Sequence, residues 1–399
     1  MPYLVPPTGT LITLTDICRI SAMWISSDST SGLFEEQAKK YTGAKYCFLF
    51  NSGRAALEAI LRSVKNGGNN KTNVIIPAYT CFSVAAAIAK SGLRIRPVDI
   101  DPLTLDYDYE KLRDQNFDNV LAVIGCNLFG ILSDWDVLGS IAKREGVYLI
   151  DDAAQSLGSE FRGEASGTLG DAGFYSLGRG KNLSVISGGV LVTDDKRIAS
   201  KIRDLIGDGE NPGFFHNMKA LLEIAAYSIF LHPGLYWLPD KMPFLKLGQT
   251  VFDEHFVSGN LSQIQKSAGA VLFPGLGKIN QVRSRNAEAI CRGISGDNRY
   301  QVPGYRTDSF PIYLRLPVLV ENRQVRDRLV NLLQREGIKS SSMYPSTIRK
   351  IEGIEKYLAS PEDNFQGAEA VVERLLTLPT HHYVKDSDIE CMIGCLMRI

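Results

Sequence analysis

The chain has no excess of either charge: 44 lysines and arginines stand against 44 aspartates and glutamates in 399 residues. That balance gives no broad positive field, so neither a nucleic-acid partner nor a polybasic membrane contact is expected. Cysteine is sparse. Its seven copies are scattered, with no C-x-x-C pair and no Cys/His cluster, which argues against zinc, and no metal is expected. The only close pair, Cys391 and Cys395, is one helical turn apart, and the total is odd. Reduced thiols in a cytoplasmic protein follow as the default. The opening residues MPYLVPPTGT lack the basic and apolar regions of a signal peptide. No apolar run is long enough to span a bilayer. The best candidate, 218–231, is apolar on most faces but is closed by His232-Pro233-Gly234. Two readings of 218–239 stay open: a helix buried under a large domain or at a subunit interface, and a patch lying on a membrane surface near a lipid-linked substrate. There is no internal repeat and no low-complexity segment.

What is present is an alternation of short β-branched runs with helical patterns. Strands are expected at 46–50, 73–77, 94–98, 120–124, 147–150, 172–177 and 186–193. Helices are expected at 33–41, from Ala55 through Val64, up to Ala89, and at 134–144, 196–206 and 263–272. Such alternation implies right-handed crossovers and an α/β fold with a mostly parallel sheet flanked by helices. The expected organisation is an irregular N-terminal segment at 1–32, a large domain at 33–275 with an apolar insertion near 207–255, and a smaller C-terminal α/β domain at 276–399. In that last part 310–314, 315–319 and a run opened by Gly337 read as strand, 323–336, 369–376 and 386–397 as helix, and 378–382 as extended chain.

Ligands of open α/β sheets lie beyond the carboxyl ends of the strands, which singles out Ser52, Tyr79 to Phe82, Asn127 and Asp152 to Gln155. The stretch 146–192 concentrates chemistry. One apolar run ends in Asp151-Asp152, and a second is followed by Lys181. A carboxylate and a lysine converging on one crevice are what a pyridoxal 5′-phosphate (PLP) site needs. The lysine joins the cofactor, and the acid keeps the pyridine nitrogen protonated. The turn Asn51-Ser52-Gly53-Arg54 before a helix aims free N–H groups at one point, as a phosphate site does, although Ser52 could equally be a plain N-cap.

Longer blocks carry a resemblance. NSGRAAL at 51–57, VIIPAYT at 74–80, PVDIDPLTLDYD at 97–108, LIDDAAQSLGSEFRG at 149–163 and GDAGFYSLGRGKNLSVISGGVLVTDD at 170–195 resemble the DegT/DnrJ/EryC1/StrS sugar aminotransferases, PLP enzymes of fold type I. IQKSAGAVL at 264–272, GIKSSSMYP at 337–345 and LPTHHYV at 378–384 add weaker matches. The resemblance implies that Lys181 holds the cofactor and moves the proton. Asp152, with Asp151 as its rival, would pair with the pyridinium, and Gln155 would meet the ring oxygen. Ser52, Gly53, Arg54 and Ser176 would hold the phosphate. It also implies a homodimer, glutamate as amino donor and a nucleotide-linked keto-sugar as acceptor. A lipid-linked sugar, a non-sugar carbonyl and a PLP-binding regulator without turnover are the alternatives. The family's lysine is present, which disfavours dehydration.

Several positions depart from the family pattern. Cys81 stands where an aromatic covers the cofactor ring, with Phe82 next. Asn127 replaces a histidine, Arg54 a threonine, and Ser258 and Asn260 a cross-subunit Asn and Arg. Asn127, Ser258 and Tyr344 are the expected substrate contacts.

Overall fold

The computed structural model describes residues 3–26, 32–65, 70–206, 212–242, 248, 250–359 and 364–399. The serine-rich cluster after Ser26 and most of the polar loop expected at 207–213 lie outside the described residues.

Seven strands form the central sheet: β1 (Tyr46–Phe50), β2 (Asn73–Pro77), β3 (Arg94–Val98), β4 (Val120–Cys126), β5 (Tyr148–Asp152), β6 (Ala172–Ser176) and β7 (Gly189–Thr193). Their order is β3-β2-β4-β5-β6-β7-β1. Every pairing is parallel except the two made by β7, which runs antiparallel to both β6 and β1. The carboxyl ends of β1, β2, β4, β5 and β6 therefore open on one edge of the sheet. Strand β4 is buried at all seven residues, as expected of a strand covered on both faces by crossover helices.

Those helices include α1 (Leu14–Ile25), α2 (Leu33–Thr42), α3 (Gly53–Lys65), α4 (Phe82–Lys90), α5 (Trp135–Glu145), α6 (Lys196–Ile206), α7 (Phe214–Phe230) and α8 (Gln263–Leu272). Helix α3 buries ten of its thirteen residues beneath the sheet. Beyond it, α9 (Leu276–Gly293), α10 (Arg323–Arg335), α11 (Gln366–Arg374) and α12 (Asp386–Met397) accompany a two-stranded antiparallel sheet of β8 (Leu316–Leu319) and β9 (Leu375–Leu378). Ile290, Leu329, Leu376 and Met392 form its apolar core, and Val5 from the start of the chain packs among them. The fold is α/β, a mostly parallel sheet with helices and a smaller C-terminal α/β unit.

Some expectations fail for local reasons. Residues 1–32 are not simply irregular. Thr13 caps α1 by accepting from the Asp16 amide at 3.1 Å, while Asp16 accepts from the Thr13 amide at 2.9 Å, a reciprocal cap. The strand expected at 310–314 shrinks to Ser309–Phe310, because Tyr313 takes a φ of +44°. The one expected from Gly337 is reduced to an isolated bridge between Val5 and Ile338, with Gly337 itself at φ +83°. The last turn of the helix expected to reach Leu376 is instead strand β9. Its Leu375 and Leu376 are fully buried against β8.

Helix α7 is not buried in this chain. Asn217, Ala220 and Ile224 face inward, while Phe214, Phe215, Leu222 and Ile229 are exposed. Among the described residues no helix is long and apolar enough to cross a membrane.

Candidate active site

A 410 Å3 cavity opens at the carboxyl edge of the sheet, lined by Ser52, Arg54, Cys81, Asp152, Gln155 and Lys181 among others. Its floor follows from strand geometry. Successive side chains of a strand point to opposite faces, so the adjacent acids Asp151 and Asp152 part company at the end of β5. Asp151 is fully buried away from the cavity. It accepts from Asn127 Nδ2 at 2.8 Å and from the amides of Gly167 and Leu169. Asp152 lines the cavity and accepts from the Ala154 amide at 3.0 Å and from the Cys126 thiol at 3.8 Å. Burial pushes the Asp152 carboxyl up to about 6, against the opposing pull of the Ala154 amide and Lys181. Burial raises Asp151 to about 7. The acid available to a ligand is Asp152.

Lys181 sits on the loop between β6 and β7. Two main-chain bonds close the loop at its base, Leu177 N to Gly188 O at 2.8 Å and Val185 N to Leu177 O at 3.0 Å. From α8, Gln265 Nε2 donates to Ser187 O at 2.8 Å and Val185 O at 3.3 Å. From the N-terminal segment, Thr8 donates to Gly180 O at 3.1 Å and Thr10 to Lys181 O at 3.2 Å. Gly180, at φ +78°, supplies the left-handed turn just before the lysine. Burial lowers the Lys181 pKa, so the amine is more readily freed of its proton than an exposed lysine.

A third group is the turn into α3. Ser52 does cap the helix, accepting from the Ala55 amide at 3.2 Å. That leaves the Gly53 and Arg54 amides, whose positions in the first turn have no partner within the helix. A Cβ on Gly53 would stand 3.0 Å from the Ser176 Cβ, so glycine keeps this cradle open beside Ser176. The Arg54 guanidinium lies 3.5 Å from Asp253 and over the Phe256 ring at 4.7 Å.

Other expected residues are placed differently. Cys81 lines the cavity and Phe82 does not. As the first residue of α4, Phe82 turns into the main core and stacks on Tyr344 at 6.3 Å. Asn127 reaches the cavity wall, yet its amide is engaged at both ends, with Asp151 and with the Ser133 amide at 3.1 Å. Gln155 accepts from the Phe129 amide at 3.2 Å and donates to the Tyr344 hydroxyl at 2.8 Å, so Tyr344 stands directly behind the wall. Ser258 is not brought to the cavity. Its hydroxyl donates to Glu58 and accepts from Lys90 Nζ at 3.1 Å. Sequence reasoning missed Thr8, Thr10 and Gln265, which hold the Lys181 loop from far away in the chain. The reciprocal cap at Thr13 and Asp16 was the one readable sign that the N-terminal segment is ordered.

The family model of the DegT/DnrJ/EryC1/StrS aminotransferases matches residues 15–397. The chain belongs to that family. Its enzymes depend on PLP and transfer amino groups, which fixes the cofactor and the reaction class. A pleiotropic regulatory protein of Geobacillus stearothermophilus is 25% identical to this DegT-family chain over 386 residues, covering 94% of it and 90% of the relative. A UDP-2-acetamido-2-deoxy-3-oxo-D-glucuronate aminotransferase of Pseudomonas aeruginosa is 24% identical over 366 residues, covering 91% and 88%. Among solved structures, Helicobacter pylori PseC, an aminotransferase involved in the biosynthesis of pseudoaminic acid, superposes with a TM-score of 0.80 at 16% identity, covering 100% of this chain and 99% of that one. This last likeness bears on the fold.

The residues present fit PLP. The cavity offers the carboxyl of Asp152, a buried amine at Lys181, and an open cradle of amides beside Ser176 with the Arg54 cation at its rim.

Proposed function

We propose that the chain moves an amino group from glutamate to a keto-sugar carried on a nucleotide. The observation that carries this is the convergence of Asp152, Lys181 and the α3 turn on one cavity. The acceptor class is supported by relatives named for such substrates, a GDP-perosamine synthase from Caulobacter vibrioides and the UDP-sugar aminotransferase above.

When bound, PLP supplies an electron sink for charge that develops on the carbon bearing the transferred amino group. Asp152 would hold the proton on the pyridine nitrogen, a cation that matches a carboxylate at the cavity floor. Gln155, which gives one amide hydrogen to the Tyr344 hydroxyl, would have its second for the ring oxygen, and Cys81 would cover the ring. Ser52, Ser176, the Gly53 and Arg54 amides and the Arg54 guanidinium would hold the phosphate. Lys181, its pKa lowered by burial, would be the nucleophile that holds the cofactor and the base that takes the proton from the substrate carbon. Asn127 and Tyr344 shape the wall behind the substrate. Ser258, held by Glu58 and Lys90, serves the site only across an interface between two copies. A cytoplasmic homodimer is part of the proposal. The exposed aromatic face of α7 is available either to a second copy or to a membrane surface. The division into 1–32, 33–275 and 276–399 belongs to the same proposal.

The test loads the protein with pyridoxamine phosphate and offers nucleotide-linked keto-sugars beside a panel of simple keto acids. Return of the PLP absorbance with the keto-sugars at least ten times faster than with the keto acids is expected. Equal or faster return with non-sugar carbonyls would replace the acceptor. A regulator without turnover, the reading that the Geobacillus relative's name favours, would bind PLP and respond to no donor or acceptor.

A further inference from the structure

Arg315, the residue before β8, is half-buried on a cavity wall with an unanswered charge. Among the described residues its guanidinium makes no ion pair, and its buried Nε has no hydrogen-bond partner. The nearest groups that could answer it by ionising are the phenols of Tyr236 and Tyr344, and burial keeps both protonated and uncharged. The nearby acids are committed elsewhere. Asp240 pairs with Lys339 at 3.0 Å, and Glu223 with Arg179 at 3.8 Å. The other buried basic groups of the region are spent on the main chain. Arg283 donates to Leu314 O at 2.9 Å and Gly9 O at 2.7 Å, and His381 meets Pro6 O at 2.7 Å. Burying a guanidinium without a counter-charge is costly, so such a group marks a place where an anion arrives.

The place is beside Lys181. A Cβ on Gly180 would lie 3.9 Å from Arg315 Nη2, and Gly180 immediately precedes the lysine, whose own charge feels Arg315. Arg315 also walls a 280 Å3 cavity with Thr8, Gly180, Tyr227 and Tyr236, and the Arg179–Glu223 pair lines the same cavity, leaving Arg315 as its unpaired cation among the described residues. That volume is below the roughly 300 Å3 at which pockets begin to take drug-sized ligands, so a nucleotide diphosphate is too large for it. A carboxylate is not. It matches the guanidinium fork in two parallel hydrogen bonds. In an amino-acid donor one carboxylate is attached to the carbon whose nitrogen takes the place of the lysine, which confines it to the neighbourhood of Lys181.

We infer that Arg315 binds a carboxylate of the amino donor, an inference that rests on the aminotransferase assignment and names the donor as an amino acid held from the β8 side. A keto-sugar without a carboxyl group brings no carboxylate to this position, so with such an acceptor only the donor half depends on Arg315.

The experiment compares wild type, Arg315→Gln and Arg315→Lys, each loaded with PLP. Three quantities are read: PLP uptake, the rate of conversion to the pyridoxamine form against glutamate concentration, and the dissociation constant of glutarate, a dicarboxylate that cannot react. Arg315→Gln is expected to take up PLP as the wild type does and to lose about 100-fold in conversion efficiency. It should bind glutarate at least tenfold more weakly, with partial recovery in Arg315→Lys. Unchanged conversion by glutamate and unchanged glutarate binding in Arg315→Gln would overturn the inference. If Arg315→Gln fails to fold, Arg315→Lys decides: wild-type glutarate binding with wild-type glutamate dependence counts against it, since an ammonium cannot reproduce the two-bond fork. If no amino acid converts the wild type, the aminotransferase assignment fails, and glutarate binding still tests Arg315 separately.

Discussion

The hydroxyl of Thr10 donates to the main-chain oxygen of Lys181 at 3.2 Å, although 171 residues separate them. With Thr8 on Gly180 and Gln265 on Ser187, it ties the Lys181 loop to the N-terminal segment and to α8. The loop has little regular structure of its own, so these bonds fix where the amine stands. Thr10→Val removes one of them while keeping the shape. A neutral hydrogen bond contributes about 1 kcal/mol, so PLP should be released about fivefold more readily, with its absorbance band unchanged. Equilibrium dialysis of the cofactor measures this. Retention equal to wild type would show that the segment does not position the loop.

Asp151 and Asp152 are expected to separate cleanly on mutation. Asp151→Ala leaves Asn127, Gly167 and Leu169 without their shared acceptor in the interior, and should cost about 2–4 kcal/mol of unfolding free energy. Asp152→Asn should fold and bind PLP but lose at least about 1,000-fold in the rate of conversion by glutamate, because a neutral amide cannot hold the pyridinium proton. Denaturant melts and single-turnover absorbance distinguish the two. The reverse pattern would exchange their roles.

The same acids set a pH dependence. Burial raises Asp152 to about 6 and Asp151 to about 7, from 3.8 for an ordinary aspartate. Each carboxyl holds its proton more tightly folded than unfolded, so stability is highest below about pH 4 on this account and falls as pH rises through 7. The contribution of these two acids should therefore be lost between pH 4.5 and 7.5, against an opposite contribution from His381 and His382, which burial keeps neutral. Asp152→Asn should reduce that slope, and loading PLP should reduce it too, by bringing a cation to the carboxylate. Denaturation midpoints at the two pH values check this, and an identical slope in the variant and the wild type would contradict it.

Cys81 and Phe82 offer a further pair. Phe82 is 6% exposed and packed on Tyr344, so Phe82→Ala should cost about 3 kcal/mol of stability without shifting the bound cofactor's absorbance. Cys81→Ala should do the opposite, changing the absorbance at little cost in stability. A spectral change in Phe82→Ala alone would place the aromatic on the cofactor after all.

The central sheet was legible because each strand is a short apolar run closed by a turn signal, and a parallel sheet buried on both faces leaves no other reading for a run such as Val120–Cys126. The positions of Asp152 and Lys181 followed from strand ends. Which acid faces the cavity did not, because period-two alternation says that neighbours diverge without saying which way. The C-terminal unit was harder to read. Tyr313 and Gly337 take positive φ inside runs that otherwise read as strand, and Leu375-Leu376 belongs to a strand although it continues a helical pattern. Arg315, Thr8 and Thr10 carried no local signal at all, since their partners are brought together only by the packing of chain ends on the Lys181 loop.

The most direct measurement is the absorption spectrum of the purified protein loaded with PLP, before and after excess glutamate, beside Lys181→Ala. The wild type should show the visible band of PLP joined to a lysine, and glutamate should bleach it to the pyridoxamine form. Lys181→Ala should show neither the band nor its reversal. A PLP band that glutamate leaves unchanged, or one that persists unaltered in Lys181→Ala, would contradict the account.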